Sequence, residues 1–516
     1  MHVRLPANHE AQEAEAASAL SDRVRSGALW AGGSTLLLRF ANIAIMAIVA
    51  RIVAPAELGV FALTLVVHGV VVSLAELGVS SAIARSDLDQ DKIAPTVATL
   101  SIVASLTLAS LMAIFADPLA SLLGSPAAAG PLRVMSLCVA LIGPFAVPGA
   151  QLQREFRQDL VFRANAIAFL PGSAVLIGVA LLGDGAMAFA WSRVTGTLVM
   201  GTLMMMSVSR RYWPALNFRL IGPLLRFGIP LAVANLLSQV LLNVDYVFVG
   251  RMLDISDVGL YNLAFNISVW STAVIGSMLN GVVLPAFSKV RADGGDLTAA
   301  LSRATHVVGL IAFPIGAFTI ALASPLIVTI YGSQWAAAAP VLGVLCVYGM
   351  LSVVCLLLAN VIVSSGRTGI LFVVQLVALA FLVPLMWLGV TLGGLIGVGA
   401  AHIVVVVVVT FPLYILAIRK SIGTGPVTIL RAMRGPATTA ALSGVIAWLV
   451  ALEIPTPGLK LLVGGLAGGL VYLLLTASEL QSFLPGGRAL RSARFLLEAA
   501  SRPSRWVAQR IGRGTP

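Results

Sequence analysis

The sequence predicts an all-α polytopic membrane protein of about fourteen transmembrane helices, with both termini in the cytoplasm. Three observations carry this reading. Fifty-nine per cent of the 516 residues are hydrophobic and 10 % are charged, well beyond the apolar share of a water-soluble domain. Apolar runs of about 20 residues, the length that spans a bilayer core, recur from Gly27 to Ser478. Basic residues gather on alternate connections between those runs.

Taken in order, residues 1–26 form a polar tail of mixed charge, without the basic-then-apolar order of a cleavable signal peptide. Apolar helices are expected over 27–50, 58–84, 94–116, 131–151, 160–183 and 185–208, making a first lobe of residues 27–208. A basic inter-lobe linker follows over 209–223. Helices over 224–250, 258–287, 302–331, 336–364, 368–390 and 392–418 make a second lobe of residues 224–418. Two further helices cover 429–452 and 457–478. Residues 479–516 read as a basic amphipathic tail with Leu, Phe and Trp interleaved, suited to an anionic lipid surface. The connections carry turn residues, as in Ala54-Pro55-Ala56, Gly183-Asp184-Gly185 and Pro455-Thr456-Pro457. Prolines at 144, 148, 171, 230, 285, 314, 384 and 412 fall inside spans, where each removes a backbone hydrogen bond.

Charge sets the orientation. With both termini in the cytoplasm, most of the 33 Lys and Arg fall on cytoplasmic segments. Arg51, Arg133, Arg251 and Lys460 fall outside, while Arg39 and Arg193 lie within spans. The net charge of +12 is thus cytoplasmic anchoring and not a nucleic-acid footprint. Cys138, Cys346 and Cys355 sit in apolar stretches and read as inert thiols. The sequence holds no Gly-rich phosphate loop, no metal-ligand cluster and no outer loop large enough for an active site, so an enzyme, a cofactor and a bound metal are not expected.

An internal repeat spans an offset of 200 residues. IMAIVARIVAPAELGVFAL (Ile45 to Leu63) overlies DYVFVGRMLDISDVGLYNL (Asp245 to Leu263). Arg51 falls on Arg251, Glu57 on Asp257, Gly59 on Gly259, Phe61 on Tyr261 and Leu63 on Leu263. Six spans separate the copies, an even number, so both have the same orientation. The expectation is a parallel repeat: two pseudo-symmetric lobes about an axis along the membrane normal, with a cleft near the midplane.

Polar side chains inside spans mark that cleft. A guanidinium at bilayer depth costs roughly 2.5–3.5 kcal/mol, and it is tolerated when it faces a cavity or a counter-charge. Arg39 and Arg193 are therefore candidates for an anionic group such as a pyrophosphate, whose oxygens fit the Arg fork. An internal ion pair with Glu76 is the competing reading for Arg39. Asn235, Gln239 and Asn243 lie four residues apart and share one helix face. They are either a polar stripe facing the cavity or hydrogen bonds between packed helices. Gln375 and His402 are further cavity candidates. Glu76 and Asp245 are candidate carriers of a coupling cation, although Asp245 is placed near the outer, water-wetted end of its helix. His68, His306 and His402 are the histidines with titration near neutral pH to offer.

Several stretches resemble the polysaccharide transporter family, the oligosaccharide flippases of the multidrug/oligosaccharidyl-lipid/polysaccharide exporter superfamily, and most of all its exopolysaccharide or colanic-acid-type branch. They are ARIVAPAELGVFAL, GRMLDISDVGLYNLAFNIS, QLQREF (Gln151 to Phe156), VLPAFSKV (Val283 to Val290), IYGSQWAAAAPVLGVL (Ile330 to Leu345) and SSGRTGIL (Ser364 to Leu371). The resemblance implies two six-helix lobes plus two C-terminal helices, in agreement with the spans above. It also implies the substrate, a polyprenyl-pyrophosphate-linked oligosaccharide moved by alternating access from the cytoplasmic to the outer leaflet of a bacterial inner membrane. The implied partners are membrane lipids, a polysaccharide polymerase and a chain-length regulator. Three alternatives stand beside it: a multidrug or cation antiporter of the same superfamily, a membrane enzyme of polysaccharide assembly, and a non-transporting scaffold. A binder of organic cations should carry acids where the first helix carries Arg39.

Overall fold

A computed structural model describes residues 38, 41–75, 90–155, 157–269, 276, 287, 290, 293–367 and 369–483. Every regular element among them is helical. The long helices are α1 (Pro55–Ala75), α2 (Gln90–Ile114), α3 (Ala129–Arg154), α4 (Gln158–Leu181), α5 (Gly185–Ser207), α6 (Phe218–Met252), α7 (Ile255–Ser268), α8 (Leu297–Ala321), α9 (Ala338–Ser364), α10 (Gly369–Val405), α11 (Pro426–Leu452) and α12 (Pro457–Phe483). Residues 41–49 are helical as well. Among the described residues, nine stretches are long and apolar enough to cross a bilayer.

One of those nine, Gly369–Ile422, is two arms and not one rod. Gly393 and Gly394 leave the helical conformation, Gly394 with φ of 52°. A Cβ on Gly389 would lie 2.4 Å from the carbonyl oxygen of Gly397. In a straight helix those residues would stand about 12 Å apart, so the chain doubles back between the expected spans 368–390 and 392–418. Farther along, a π turn over Val406–Thr410 precedes Pro412. The widened turn relieves the clash of the proline ring with the carbonyl four residues earlier.

Other boundaries differ from expectation. The linker expected over 209–223 ends sooner, because α6 starts at Phe218. Asn217 Oδ1 accepts from the Arg219 N–H at 3.1 Å, and this side chain starts the helix. The single helix expected over 302–331 is broken at Leu322, between α8 and Ala323–Ile330. The expected helices 27–50, 58–84 and 258–287 extend past the described residues, as does the basic tail from 484 onward, so the count of fourteen remains an expectation.

Contacts divide the chain into two compact units. The first holds the described residues up to Val53 with 64–122 and 126–240; the second holds Ala54–Leu63, Leu123–Ser125 and the described residues from Leu241 onward. In the first, α4 packs on α5 and α3 packs on both α2 and α5. Backbones approach closely at small residues: Ser192 Oγ donates to Gly172 O at 2.8 Å, joining α5 to α4. The extended segment 208–217 is strapped to this unit. Thr99 Oγ1 donates to Ala215 O, Ala215 N to Pro95 O, Asn217 N to Thr96 Oγ1 and Gln151 Nε2 to Arg210 O. Gln151 of the QLQREF motif is thus a buried strap anchor, 2 % exposed.

In the second unit, α8, α9, α10 and α11 bury Leu301, Val308, Val354, Leu358, Ile362 and Ile429. The two C-terminal helices are pinned to α8 by polar bonds. Tyr472 donates to Leu310 O at 2.6 Å, and His306 bonds both Glu479 (2.9 Å) and Ala432 O (3.2 Å). Large apolar side chains such as Leu392, Leu466 and Val408 point outward, as hydrocarbon requires.

This unit also brings the two repeat motifs together. A Cβ on Gly59 would lie 2.0 Å from Ile255 O, and one on Gly259 would lie 1.9 Å from Pro55 O. Pro55 and Ile255, like the glycines, are 200 positions apart, so the contact is reciprocal. The matching acids have matching jobs: Glu57 accepts from Ala54 N at 2.9 Å and Asp257 from Asp254 N at 3.3 Å, each capping the helix it begins.

Candidate functional site

Two polar groups lie inside the apolar helices, one in each unit. The first is built on α1, α3, α5 and α6. Arg193 is solvent-accessible on α5, and its charge acts on His68 of α1 and Cys138 of α3. His68 is 7 % exposed, and its Nδ1 has no hydrogen-bond partner. On α6, the Gln239 carboxamide lies against Gly69, next to His68, where a Cβ would be 3.6 Å away. The accessible guanidinium of Arg193 is the member of this group that can meet an anion.

Arg39 and Glu76 lie outside the described residues, and so does the competing reading of an ion pair between them. Asn235, Gln239 and Asn243 are each half-buried on α6, and Gln375 is half-buried on α10. Cys138, Cys346 and Cys355 are buried free thiols.

The second group is built on α6, α7, α9 and α10. Asp245 is not at a wetted helix end as its position suggested; it is 1 % exposed. The capped start of α7 folds that helix back so that Tyr261, fully buried, covers the carboxylate. Tyr261 donates to Asp245 Oδ2 at 2.6 Å, and the Tyr246 N–H donates to Oδ1 at 2.9 Å. His402 Nε2 stands 3.2 Å from the Tyr261 oxygen and 3.5 Å from Asp245 Oδ2. With the phenol proton directed at Asp245, Tyr261 accepts from an Nε2 that carries hydrogen. Tyr348 lies against the imidazole at 4.7 Å, and Tyr246 meets Tyr261 edge-on at 5.4 Å. Asn262 closes the group by donating to the Tyr246 oxygen at 3.1 Å.

Tyr261, Tyr246 and Tyr348 were missed by the reading of the sequence, which weighed charged and amide residues. A signal was present in the repeat. The positions of Asp245 and Tyr261 are Ile45 and Phe61 in the first copy. Acceptor and donor thus occur together in one copy and are absent together from the other.

An apolar cavity of about 560 Å³ also opens on the second unit, among Phe313, Ile320, Met350, Leu351 and Trp448 of α8, α9 and α11. Among the described residues, no cluster of three metal-ligating side chains occurs.

Comparison with known proteins adds the following. A family model described as polysaccharide biosynthesis protein matches residues 48–340, more than half of the chain. The lipopolysaccharide biosynthesis protein WzxC of Escherichia coli (strain K12) is 25 % identical over 414 residues, covering 78 % of this chain and 83 % of WzxC. The succinoglycan biosynthesis transport protein ExoT of Rhizobium meliloti (strain 1021) is 29 % identical over 344 residues, covering 66 % of this chain and 68 % of ExoT. Among solved structures, the lipid II flippase MurJ in an inward closed conformation superposes with a TM-score of 0.72 at 15 % identity, covering 87 % of this chain and 99 % of that one. At that identity the likeness is one of fold.

Proposed function

Since the chain belongs to the polysaccharide biosynthesis protein family, we propose that it is a flippase for a polyprenyl-pyrophosphate-linked oligosaccharide. It carries an exopolysaccharide or lipopolysaccharide repeat unit from the cytoplasmic to the outer leaflet of a bacterial inner membrane, by alternating access. The observation that carries this reading is Arg193, an accessible cation on α5 whose charge acts on His68, a buried histidine with an unpartnered Nδ1. A sugar chain has many hydroxyls, each costly to pass through hydrocarbon unpaired, so a protein path with polar groups is needed. In this reading Arg193, with Arg39, receives the pyrophosphate. Asn235, Gln239, Asn243, Gln375 and His402 offer hydrogen bonds to the sugars. The apolar cavity on α8, α9 and α11 suits the polyprenyl tail.

The architecture proposed with it has fourteen spans, pseudo-symmetric lobes 27–208 and 224–418, and cytoplasmic termini. The reciprocal Gly59 and Gly259 contact supports the repeat behind it. A polymerase and a chain-length regulator are the proposed partners. The cationic character of the Arg193 group disfavours an exporter of organic cations.

The test is reconstitution of the full chain in liposomes with a fluorescent polyprenyl-pyrophosphate disaccharide. Arg193→Ala and Arg39→Ala should each lower binding and flipping. An Arg-to-carboxylate or Arg-to-phosphate hydrogen bond contributes about 1.5–3 kcal/mol, so the loss should be about ten-fold or more. Normal flipping by both variants removes the pyrophosphate role, and no flipping by the intact chain removes the flippase reading.

A further inference from the structure

We infer that the second unit holds a seat for an anionic phospholipid, with one acyl chain in the apolar cavity and the headgroup phosphate at Lys460; nothing in this depends on flipping.

The seat is two cavities joined end to end. The apolar one, of about 560 Å³, lies among α8, α9 and α11. A second, of about 530 Å³, lies where α8 ends, the short helix Ala323–Ile330 follows and α12 begins. Ile320, Ala321 and Trp448 line both, so one continues into the other.

The two linings differ in kind. The first is aliphatic and aromatic throughout, its one polar group being the indole N–H of Trp448. Ser324 and Lys460 line the second, and Lys460 is the charged residue of that lining. Pro325, Pro340, Pro455 and Pro457 line it too and offer no N–H, so attraction for an anion falls to Lys460 and Ser324. Trp448 stands where the cavities meet, and tryptophan prefers the boundary between hydrocarbon and headgroups. On the same helix Leu442, Val445 and Leu449 are each about half exposed, so this side of α11 meets hydrocarbon and gives a chain its way in.

Size and charge select the occupant. At roughly 30 Å³ per methylene, about the share of one water in its liquid, a cavity of about 560 Å³ seats roughly 19 groups. That is one whole acyl chain. A chain gains little by leaving the bilayer for an equally apolar cavity, so the headgroup end decides what stays. Lys460 is half-buried, and among the described residues it pairs with no acid. Its N–H bonds to Thr456 O at 2.9 Å, which places it one turn into α12, at the positive end of the helix dipole. A cation there is at the unfavourable end of its helix, and a phosphate beside it relieves both charges. A zwitterionic lipid would bring its own ammonium to the same place, so the anionic class is preferred. An acyl chain and a polyprenyl tail exclude each other in this space, so the phospholipid is the occupant between substrates.

Native mass spectrometry of the purified full chain tests the seat, with phosphatidylglycerol and phosphatidylcholine of matched chains added in turn. One phosphatidylglycerol should be retained in preference to phosphatidylcholine. Its affinity should fall about ten-fold or more in Lys460→Gln, as expected for loss of a hydrogen bond to a charged group. Ala441→Trp, which fills the apolar cavity, should lower it as well, while Lys92→Gln in the first unit should not. Phosphatidylglycerol with a photoreactive group midway along one chain should label peptides that carry Met350 or Met433, both in the cavity lining. Equal retention by Lys460→Gln, equal retention of the two lipids, or labelling confined to other helices overturns the proposal. A chain that retains polyprenyl phosphate through Lys460 and refuses phosphatidylglycerol also overturns it, and leaves the cavity to the substrate tail alone. Since no step measures transport, a chain that flips nothing but binds as stated loses the flippase reading and keeps the phospholipid seat.

Discussion

The glycine crossing gives a perturbation whose size can be worked from the structure. In Gly259→Ala the new Cβ would sit 1.9 Å from Pro55 O and 2.8 Å from Pro55 C. A carbon approaches a carbonyl oxygen to about 3.3 Å at closest, so the two helix starts must separate locally by about 1.4 Å. The opposing atoms are backbone, which cannot rotate aside as a side chain can. Overpacking of this kind costs about 1–3 kcal/mol, read as a fall of a few degrees in Tm. Gly59→Ala should cost about the same, since its Cβ would meet Ile255 O at 2.0 Å. The double variant should cost clearly less than the sum, because a helix pair already pushed apart has room for the second methyl. The assay is thermal unfolding of the purified full chain, followed by circular dichroism in one detergent. Single variants as stable as the parent, or a double variant equal to the sum, would refute the reciprocal contact.

Two further predictions concern the strap and a helix start. Tyr212 and Arg210 of the strap both hold Asp91, and burial together with the Asp91 carboxylate pushes the Tyr212 phenol up to about 12. A phenol whose folded value is raised above about 10 binds its proton more tightly when folded. The stability it adds is complete below about pH 10 and is lost as pH rises toward about 12. Limited proteolysis near Arg211 should therefore quicken over that window, and Tyr212→Phe should lack the alkaline step. At the start of α8, Asp296 accepts from Thr298 N at 2.8 Å and Ala299 N at 3.1 Å. Asp296→Ala should cost about 1 kcal/mol, checked by thermal unfolding of the full chain.

Much of the fold was legible because hydropathy and turn residues act locally. The 20-residue apolar runs and their Pro- and Gly-bearing connections determined where helices lie, and the helix ends moved where a single side chain such as Asn217 decided the start. The 200-residue offset identified Gly59, Gly259, Glu57 and Asp257 as special, and nothing in the linear order said that the glycines touch or that the acids are caps. Among candidate site residues, Arg193 was legible because a cation in an apolar run is conspicuous by its cost. Asp245 was conspicuous too, yet its position near a helix end suggested water.

The sequence by itself determined the class of the protein, the spacing of its helices and the chemical types available inside them, since these follow from the preference of each residue for hydrocarbon or water. The tertiary structure alone decided which of those residues meet. Asp245, Tyr261, Tyr348 and His402 come from four helices, and a hydrogen bond depends on distance through space and not along the chain. Only the folding of α7 over α6, with α9 and α10 packed beside them, turns an isolated acid into one held by a phenol and a backbone N–H.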